Sequence, residues 1–122
     1  MARLSKSAVM HCVLELMVED HFALWELMSQ VMGTFPQASQ SEARKAAETA
    51  VRQALKNEWV ALFRRPVLAA PEQALTEPGE IESALTNNDF WKPPLADVEF
   101  VTAGATKRGA EAYFRSVHAS VS

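Results

Sequence analysis

The sequence predicts an α+β domain that is mainly helical: a three-helix core, a small two- or three-stranded antiparallel sheet and a C-terminal helix. Three segments in the first half of the chain carry apolar residues at helical spacing. Two later segments, 59–63 and 98–101, are apolar or alternate with a period of two, as strands do. A chain of 122 residues suffices for one core, so 1–122 is predicted to be a single domain.

The first two helices are predicted from capping residues and apolar positions. Ser5 or Ser7 should cap the first helix. Its apolar positions are Val9, Val13, Leu16 and Met17. Asp20 is expected to cap the second helix, and Gly33 is expected to end it. The predicted buried stripe of the second helix is Phe22, Trp25, Met28, Val31 and Met32.

The third helix has the clearest start signal in the chain. Ser39 and Glu42 have the spacing of a capping box, which predicts a helix to about Lys56. Its core face should contain Ala43, Ala47, Ala50, Val51, Ala54 and Leu55. Asn57 is expected to end the helix in the left-handed conformation. The strand 59–63 should leave directly from this end.

A long excursion, 67–97, separates the two predicted strands. A short helix is expected near 80–85, and a turn at 87–89. After the strand 98–101, the sequence 106–109 should open the last helix. Tyr113, Phe114 and Val117 are expected to face the core from that helix.

The order of these elements is similar to the winged helix-turn-helix superfamily over about residues 7–118. Two local features carry the resemblance: the third helix runs straight into an apolar strand, and Thr106 and Gly109 form a Thr-x-x-Gly helix start. The resemblance implies a winged-helix-like core and a DNA-binding regulator, usually dimeric. The wing of that superfamily is usually a short hairpin with basic residues near its tip. Here a stretch of about 30 residues with a net negative charge separates the two predicted strands.

Charge is unevenly distributed along the chain. The net charge is -3, yet the segment 72–99 holds seven acids and one lysine, which leaves +3 on the remainder. An acidic segment opposes DNA binding, because affinity for DNA depends on neutralising phosphates. The same segment suits a basic protein partner.

The sequence contains no motif that indicates catalysis. His11 and Cys12 are adjacent, so on a helix they point about 100° apart and share no face. Zinc-binding, Gly-x-Ser-x-Gly and phosphate-loop patterns are absent from the sequence. We therefore expect no enzyme activity, no metal and no cofactor.

Cysteine content and hydropathy bear on location. Cys12 is the sole cysteine, which excludes an internal disulfide and fits a reducing compartment. No apolar run reaches the length of a membrane span or of a signal-peptide core. The expected location is the cytoplasm, without a membrane partner.

The acidic segment contains the candidate protein-binding residues. An aromatic pair among acids is the composition of a binding hot spot. The candidates are Glu80, Glu82, Asp89, Phe90, Trp91 and Glu99. In the competing interpretation, Phe90 and Trp91 fold back over the core and anchor the excursion.

The third helix contains the alternative, DNA-binding candidates. Lys45, Thr49, Arg52 and Lys56 are expected to form one exposed stripe, as on a recognition helix. The competing interpretation is a solvated face of mixed charge, in which Glu48 supports Arg52 one turn later. The sequence favours neither interpretation.

These observations predict a non-catalytic protein-binding domain. Its most concrete form is an immunity protein or antitoxin that covers a basic toxin, for example a nuclease. The alternative is a winged-helix DNA-binding transcriptional regulator. A homodimer is expected for the regulator, because two recognition helices must meet two half-sites. A third possibility is a subunit or adaptor in a larger assembly.

Overall fold

The computed structural model describes residues 4–65, 71–93 and 99–121, with side chains up to 116. Its helices are α1 (Lys6–Met17), α2 (Leu24–Thr34), α3 (Gln40–Lys56), α4 (Pro78–Thr86) and α5 (Lys107–Val121), with a 3-10 helix at Asn88–Trp91. Its strands are β1 (Phe22–Ala23), β2 (Val60–Arg65), β3 (Gln73–Ala74) and β4 (Phe100–Ala105). The α+β, mainly helical class is therefore confirmed. Parts of the excursion 67–97, together with Val98 and the side chain of Val117, lie outside the described residues.

The predicted caps of α1 and α3 are confirmed. The Ser5 hydroxyl accepts a hydrogen bond from the amide of Ala8 at 3.1 Å. At α3, the Ser39 hydroxyl accepts from the Glu42 amide at 3.1 Å, and the Glu42 carboxylate accepts from the Ser39 amide at 2.9 Å. Each exchange satisfies amides that have no partner inside the helix.

The predicted ends of α2 are wrong. Asp20 accepts a hydrogen bond from the amide of His21, and the helix begins only at Leu24. The intervening residues are extended because they form β1, which pairs with β4. At the other end, α2 continues past Gly33 to Thr34.

The sheet has four strands in the order β1-β4-β2-β3, all antiparallel, rather than two or three. β4 and β2 are the two inner strands. β4 pairs with the whole of β2, from Val60 opposite Ala105 to Arg65 opposite Phe100. β1 pairs with its other edge. The two strands that sequence alone did not predict, β1 and β3, are therefore the outer ones.

Helices α1, α2 and α3 pack against one another and against the two inner strands of the sheet. The alanine face of α3 is buried as predicted, apart from the partly exposed Leu55. Ala43, Ala47 and Ala54 are fully buried. Their small side chains let the backbones of the neighbouring helices approach closely.

The junction between α3 and β2 positions the start of α5. The left-handed residue is Glu58, with φ of 61°, whereas Asn57 remains right-handed, contrary to prediction. The Thr106 hydroxyl donates to the Glu58 carbonyl at 2.7 Å and accepts from the Gly109 amide at 3.1 Å. A Cβ at Gly109 would overlap the carbonyl oxygen of Trp59. The Thr-x-x-Gly sequence therefore combines a helix cap with a close backbone approach.

Helix α5 packs on α1 and β4 along only part of its surface. Tyr113 packs against the core and lies 5.3 Å from the His11 ring, centroid to centroid. Phe114 is 53% exposed, so the prediction that it faces the core is wrong. Adjacent helical residues point about 100° apart. Because Tyr113 lies on the side of α5 that faces the core, Phe114 lies on a side that faces solvent.

Candidate functional site

The acidic segment is largely paired with arginines from the rest of the chain. Glu72 binds Arg65 at 3.0 Å. Glu82 binds Arg52 at 2.6 Å. Glu80 and Glu99 share another arginine, described below. The local charge excess seen in the sequence is therefore partly compensated within the fold.

Three of the predicted protein-binding residues line one cleft of about 320 Å³ between α4 and the sheet. Glu80 lies in the first turn of α4, Phe90 in the 3-10 helix and Glu99 just before β4. The fold brings them together from well-separated positions in the sequence. The remaining lining residues are Arg64, Ser83, Ala84, Asn87 and Val101.

Arg64 enters this cleft from β2 and approaches both acids. Its Nε lies 2.8 Å from Glu99 Oε1, and its Nη2 lies 3.5 Å from Glu80 Oε2. The contact of Nε with Glu99 is an ion pair but not a hydrogen bond, since its geometry is not aligned for one. This Nε is buried and makes no hydrogen bond within the described residues. The side chains of Glu80 and Glu99 remain 45% and 44% exposed. Each acid is thus held on one side and open to solvent on the other.

The predicted aromatic pair is divided between surface and core. Trp91 is 2% exposed, and its indole Nε1 donates to the Leu85 carbonyl at 2.9 Å. The Arg44 guanidinium lies 4.7 Å from the centre of the Trp91 ring. Phe90 stays partly exposed in the cleft. Trp91 therefore anchors the excursion, while Phe90 remains accessible to a partner.

Asp89 and Glu82 lie outside the cleft, on the surface of the excursion. Asp89 is exposed, and its amide donates to Asn87 Oδ1 at 3.0 Å, which starts the 3-10 helix. The Glu82 carboxylate accepts two hydrogen bonds from Arg52, at 2.6 and 3.0 Å. These bonds lower the pKa of Glu82 below its ordinary value, and the bond to Glu82 raises the pKa of Arg52.

On α3, the four candidate DNA-binding residues are not equivalent. Lys45, Thr49 and Lys56 are exposed, as expected for a recognition stripe. Arg52 instead binds Glu82 on α4 and Glu48 on its own helix, the latter at 3.0 Å. The predicted helix-stabilising pair is therefore present. Arg52 would have to leave these carboxylates to contact a phosphate.

Arg44 is a residue that sequence reasoning missed. It donates to Glu48 at 3.1 Å, to Asn88 Oδ1 at 2.9 Å and to the Leu85 carbonyl at 3.1 Å, besides covering Trp91. Its position four residues before Glu48 was a visible signal for an ion pair. Its contacts with Leu85 and Asn88 join distant parts of the chain, so they could be found only from the tertiary structure.

The residues considered for metal or nucleophilic chemistry are separated or buried. Cys12 is buried, and burial raises the pKa of its thiol. His11 lies against Tyr113, whereas His21 binds Glu72 at 2.8 Å and stacks on Phe63. Among the described residues, no three His, Cys, Asp or Glu side chains are grouped so that they could hold a metal ion.

No helix within the described ranges is long and apolar enough to cross a membrane. Comparisons with protein-family models, with curated proteins and with solved structures find no match to this chain.

Proposed function

We propose that this chain is a non-catalytic protein-binding domain whose partner places a lysine or arginine side chain in the cleft of Glu80, Phe90 and Glu99. The observation that carries the proposal is the convergence of these three residues on one cleft. Two open carboxylates beside an aromatic ring suit a cation, which gains both charge pairing and contact with the ring.

Arg64 supports this proposal in two ways. Its ion pairs with Glu80 and Glu99 show that a guanidinium fits between the acids. They also hold both carboxylates in place before a partner arrives. Ordering side chains reduces affinity, so acids that are already ordered favour association. A basic surface on the partner would be drawn to this region and oriented by it.

The most concrete form of this function is an immunity protein or antitoxin that binds a basic toxin in the cytoplasm. A nuclease has a basic substrate-binding surface, because that surface must attract phosphates. A small domain that presents ordered acids could cover such a surface. The buried thiol of Cys12 fits a reducing location.

The test uses the double variant Glu80→Gln, Glu99→Gln as immobilised bait in a lysate of the source organism. The matched control is Glu19→Gln, Glu111→Gln, which removes two exposed acids elsewhere. We expect wild type and control to capture the same basic protein, and the double variant to lose it. Thermal unfolding of each variant checks that the fold survives the unpairing of Arg64.

Two results would contradict the proposal. One is a captured protein whose association rate is unchanged by the double variant. The other is capture that depends equally on the control acids. Phe90→Leu separates the aromatic contribution, because it keeps an apolar side chain but removes the ring. If the chain is an immunity protein or antitoxin, the captured protein must also lose its own activity when this chain is bound.

A second candidate, a winged-helix DNA-binding regulator, is favoured by the topology. β2 follows α3 directly and pairs with β4, whose other edge pairs with β1, an arrangement similar to the winged helix-turn-helix superfamily. Lys45, Thr49 and Lys56 lie exposed along α3, where that superfamily reads DNA. In this alternative the chain acts as a homodimer, so that two copies of α3 reach two half-sites.

The DNA-binding alternative is tested with Lys45→Glu, Lys56→Glu against the control Lys92→Glu, which reverses an exposed lysine of the excursion. Binding to a duplex should fall steeply with salt, because released counterions drive the association. The double variant should lose binding while the control retains it. No wild-type binding at low salt, or equal losses in both variants, would exclude this alternative.

A further inference from the structure

A second cavity, mostly apolar, is formed without any of the residues that line the acidic cleft. It is a groove of about 620 Å³ between the beginning of α1 and α3. Its apolar lining consists of Leu4, Val9, Met10, Ala46, Ala50 and Trp59. None of these residues takes part in the cleft described above. The groove falls within the size range of small-molecule sites, which are mostly apolar with a few polar groups.

The groove exists because α3 presents small side chains on this flank. Ala46 and Ala50 lie one turn apart and leave space that longer side chains would fill. The indole of Trp59, at the start of β2, contributes an aromatic wall. An apolar ligand would remove this surface from water, and burial of apolar area is favourable at about 25 cal/mol per Å².

The polar rim of the groove favours an anion. Lys6 and Lys45 both line it and are exposed, and neither forms an ion pair with another residue of the described ranges. Glu42 is the one acid in the lining. Its carboxylate is engaged by the Ser39 amide, and that bond lowers the pKa of Glu42. Glu42 therefore stays ionised, but the two lysines outnumber it, and the rim carries a net positive charge.

We propose that this groove binds an amphipathic carboxylate. The apolar tail of the ligand lies against Met10, Ala46 and Trp59, and its carboxylate pairs with Lys45 or Lys6 at the rim. This site is independent of the protein-binding cleft, so the two can be tested separately.

The probes are decanoate and decanol, which share a tail and differ in charge, measured by titration calorimetry. We expect decanoate to bind about tenfold more tightly than decanol, as a hydrogen bond to a charged group implies. Lys6→Gln with Lys45→Gln should reduce the affinity for decanoate to that for decanol. The control Lys92→Gln, outside the groove, should change neither affinity.

Two further variants identify where the tail binds. Ala46→Phe should fill the groove and abolish binding of both probes, while circular dichroism shows that the helices persist. Phe114→Ser removes the exposed ring of α5 and should leave decanoate binding unchanged, since Phe114 does not line the groove. Binding that survives Ala46→Phe but is lost in Phe114→Ser would overturn the proposal.

A second copy of the chain is the main competing occupant. Sedimentation distinguishes this occupant from a small ligand. The ligand assignment would be overturned if the wild type were a dimer that binds no decanoate and if Ala46→Phe converted that dimer to monomers. Equal affinities for decanoate and decanol would overturn it as well. Neither outcome affects capture through Glu80 and Glu99, so failure of this site is distinguishable from failure of the protein-binding proposal.

Discussion

The guanidinium of Arg52 joins α3 to α4 through Glu82, whose carboxylate accepts two of its hydrogen bonds at 2.6 and 3.0 Å. A planar guanidinium and a carboxylate match in this paired geometry. Glu48 holds the same arginine from within α3 at 3.0 Å. The orientation of α4, and hence of the acidic cleft beside it, depends in part on this contact.

The pKa of Glu82 makes this contact sensitive to acid. Its hydrogen bonds with Arg52 lower the pKa in the folded state below the ordinary 4.5. The contribution to stability is therefore present above the ordinary value and is lost as the pH falls through the lower, folded one. The unfolding free energy of the wild type should decrease as the pH falls below 4.5, and we expect this decrease to be smaller in Glu82→Gln. Urea denaturation at a series of pH values measures both.

Glu111→Gln is the matched control for this experiment. Glu111 is exposed on α5 and forms no ion pair within the described part of the chain. Its variant should follow the wild-type pH dependence. Equal slopes for wild type, Glu82→Gln and the control would show that the Arg52–Glu82 contact contributes nothing to stability.

Gly109→Ala should destabilise the fold strongly. The added methyl group would overlap the carbonyl oxygen of Trp59, and backbone cannot move aside as a flexible side chain can. Overpacking of this kind costs about 1–3 kcal/mol or more. The control is Gly79→Ala, since an added Cβ there meets nothing within 4 Å and alanine favours the helix. Chemical denaturation measures the stability of both variants. Similar denaturation midpoints would show that the fold does not depend on the close approach of Gly109 to the Trp59 carbonyl.

Trp91 should be an anchor of stability, not of binding. Truncation of a buried tryptophan to alanine costs about 3–5 kcal/mol. Trp91→Phe should cost less, about 1–2 kcal/mol, because it keeps a buried ring and loses only the indole bond and part of the packed volume. Arg44 still donates to the Leu85 carbonyl in that variant. The measurement is the free energy of unfolding for both variants. A neutral Trp91→Ala with weakened partner capture would instead place this side chain at the interface.

Phe114→Ala should change the unfolding free energy by less than about 0.5 kcal/mol, as substitutions at exposed positions do. Tyr113→Ala, one residue earlier, should cost about 1–2 kcal/mol, since it removes a partly buried ring from the core. Thermal unfolding of the two variants shows which side of α5 packs against the core. The opposite order of stabilities would contradict the orientation of α5 described above.

Sequence patterns predicted the features of the fold that depend on nearby residues. The caps at Ser5 and Ser39, the alanine face of α3 and the helix around 80–85 were all correct. Each depends on residues within a turn or two of one another. Asp20 was misassigned as a helix cap because the two-residue strand β1 is stabilised by β4, far along the chain.

The candidate cleft was predictable only in part. Glu80, Phe90 and Glu99 were singled out from composition, but nothing in the sequence placed them together or set Trp91 apart. The acidic excess of the excursion also gave no sign that Arg52 and Arg64 would pair with it. Such pairing is a tertiary property, and local charge counts omit it.

The position of β4 between β1 and β2 also determines when this sheet can form. β1 and β2 both pair with β4, which is near the end of the chain, whereas α1, α2 and α3 precede it entirely. During synthesis the helical layer can assemble first, while β1 and the β4-facing edge of β2 keep unpaired amides. Pairings between distant segments form slowly, because loop closure must precede contact. Until residue 105 leaves the ribosome, the nascent protein therefore carries an exposed strand edge, which is where misassociation would begin.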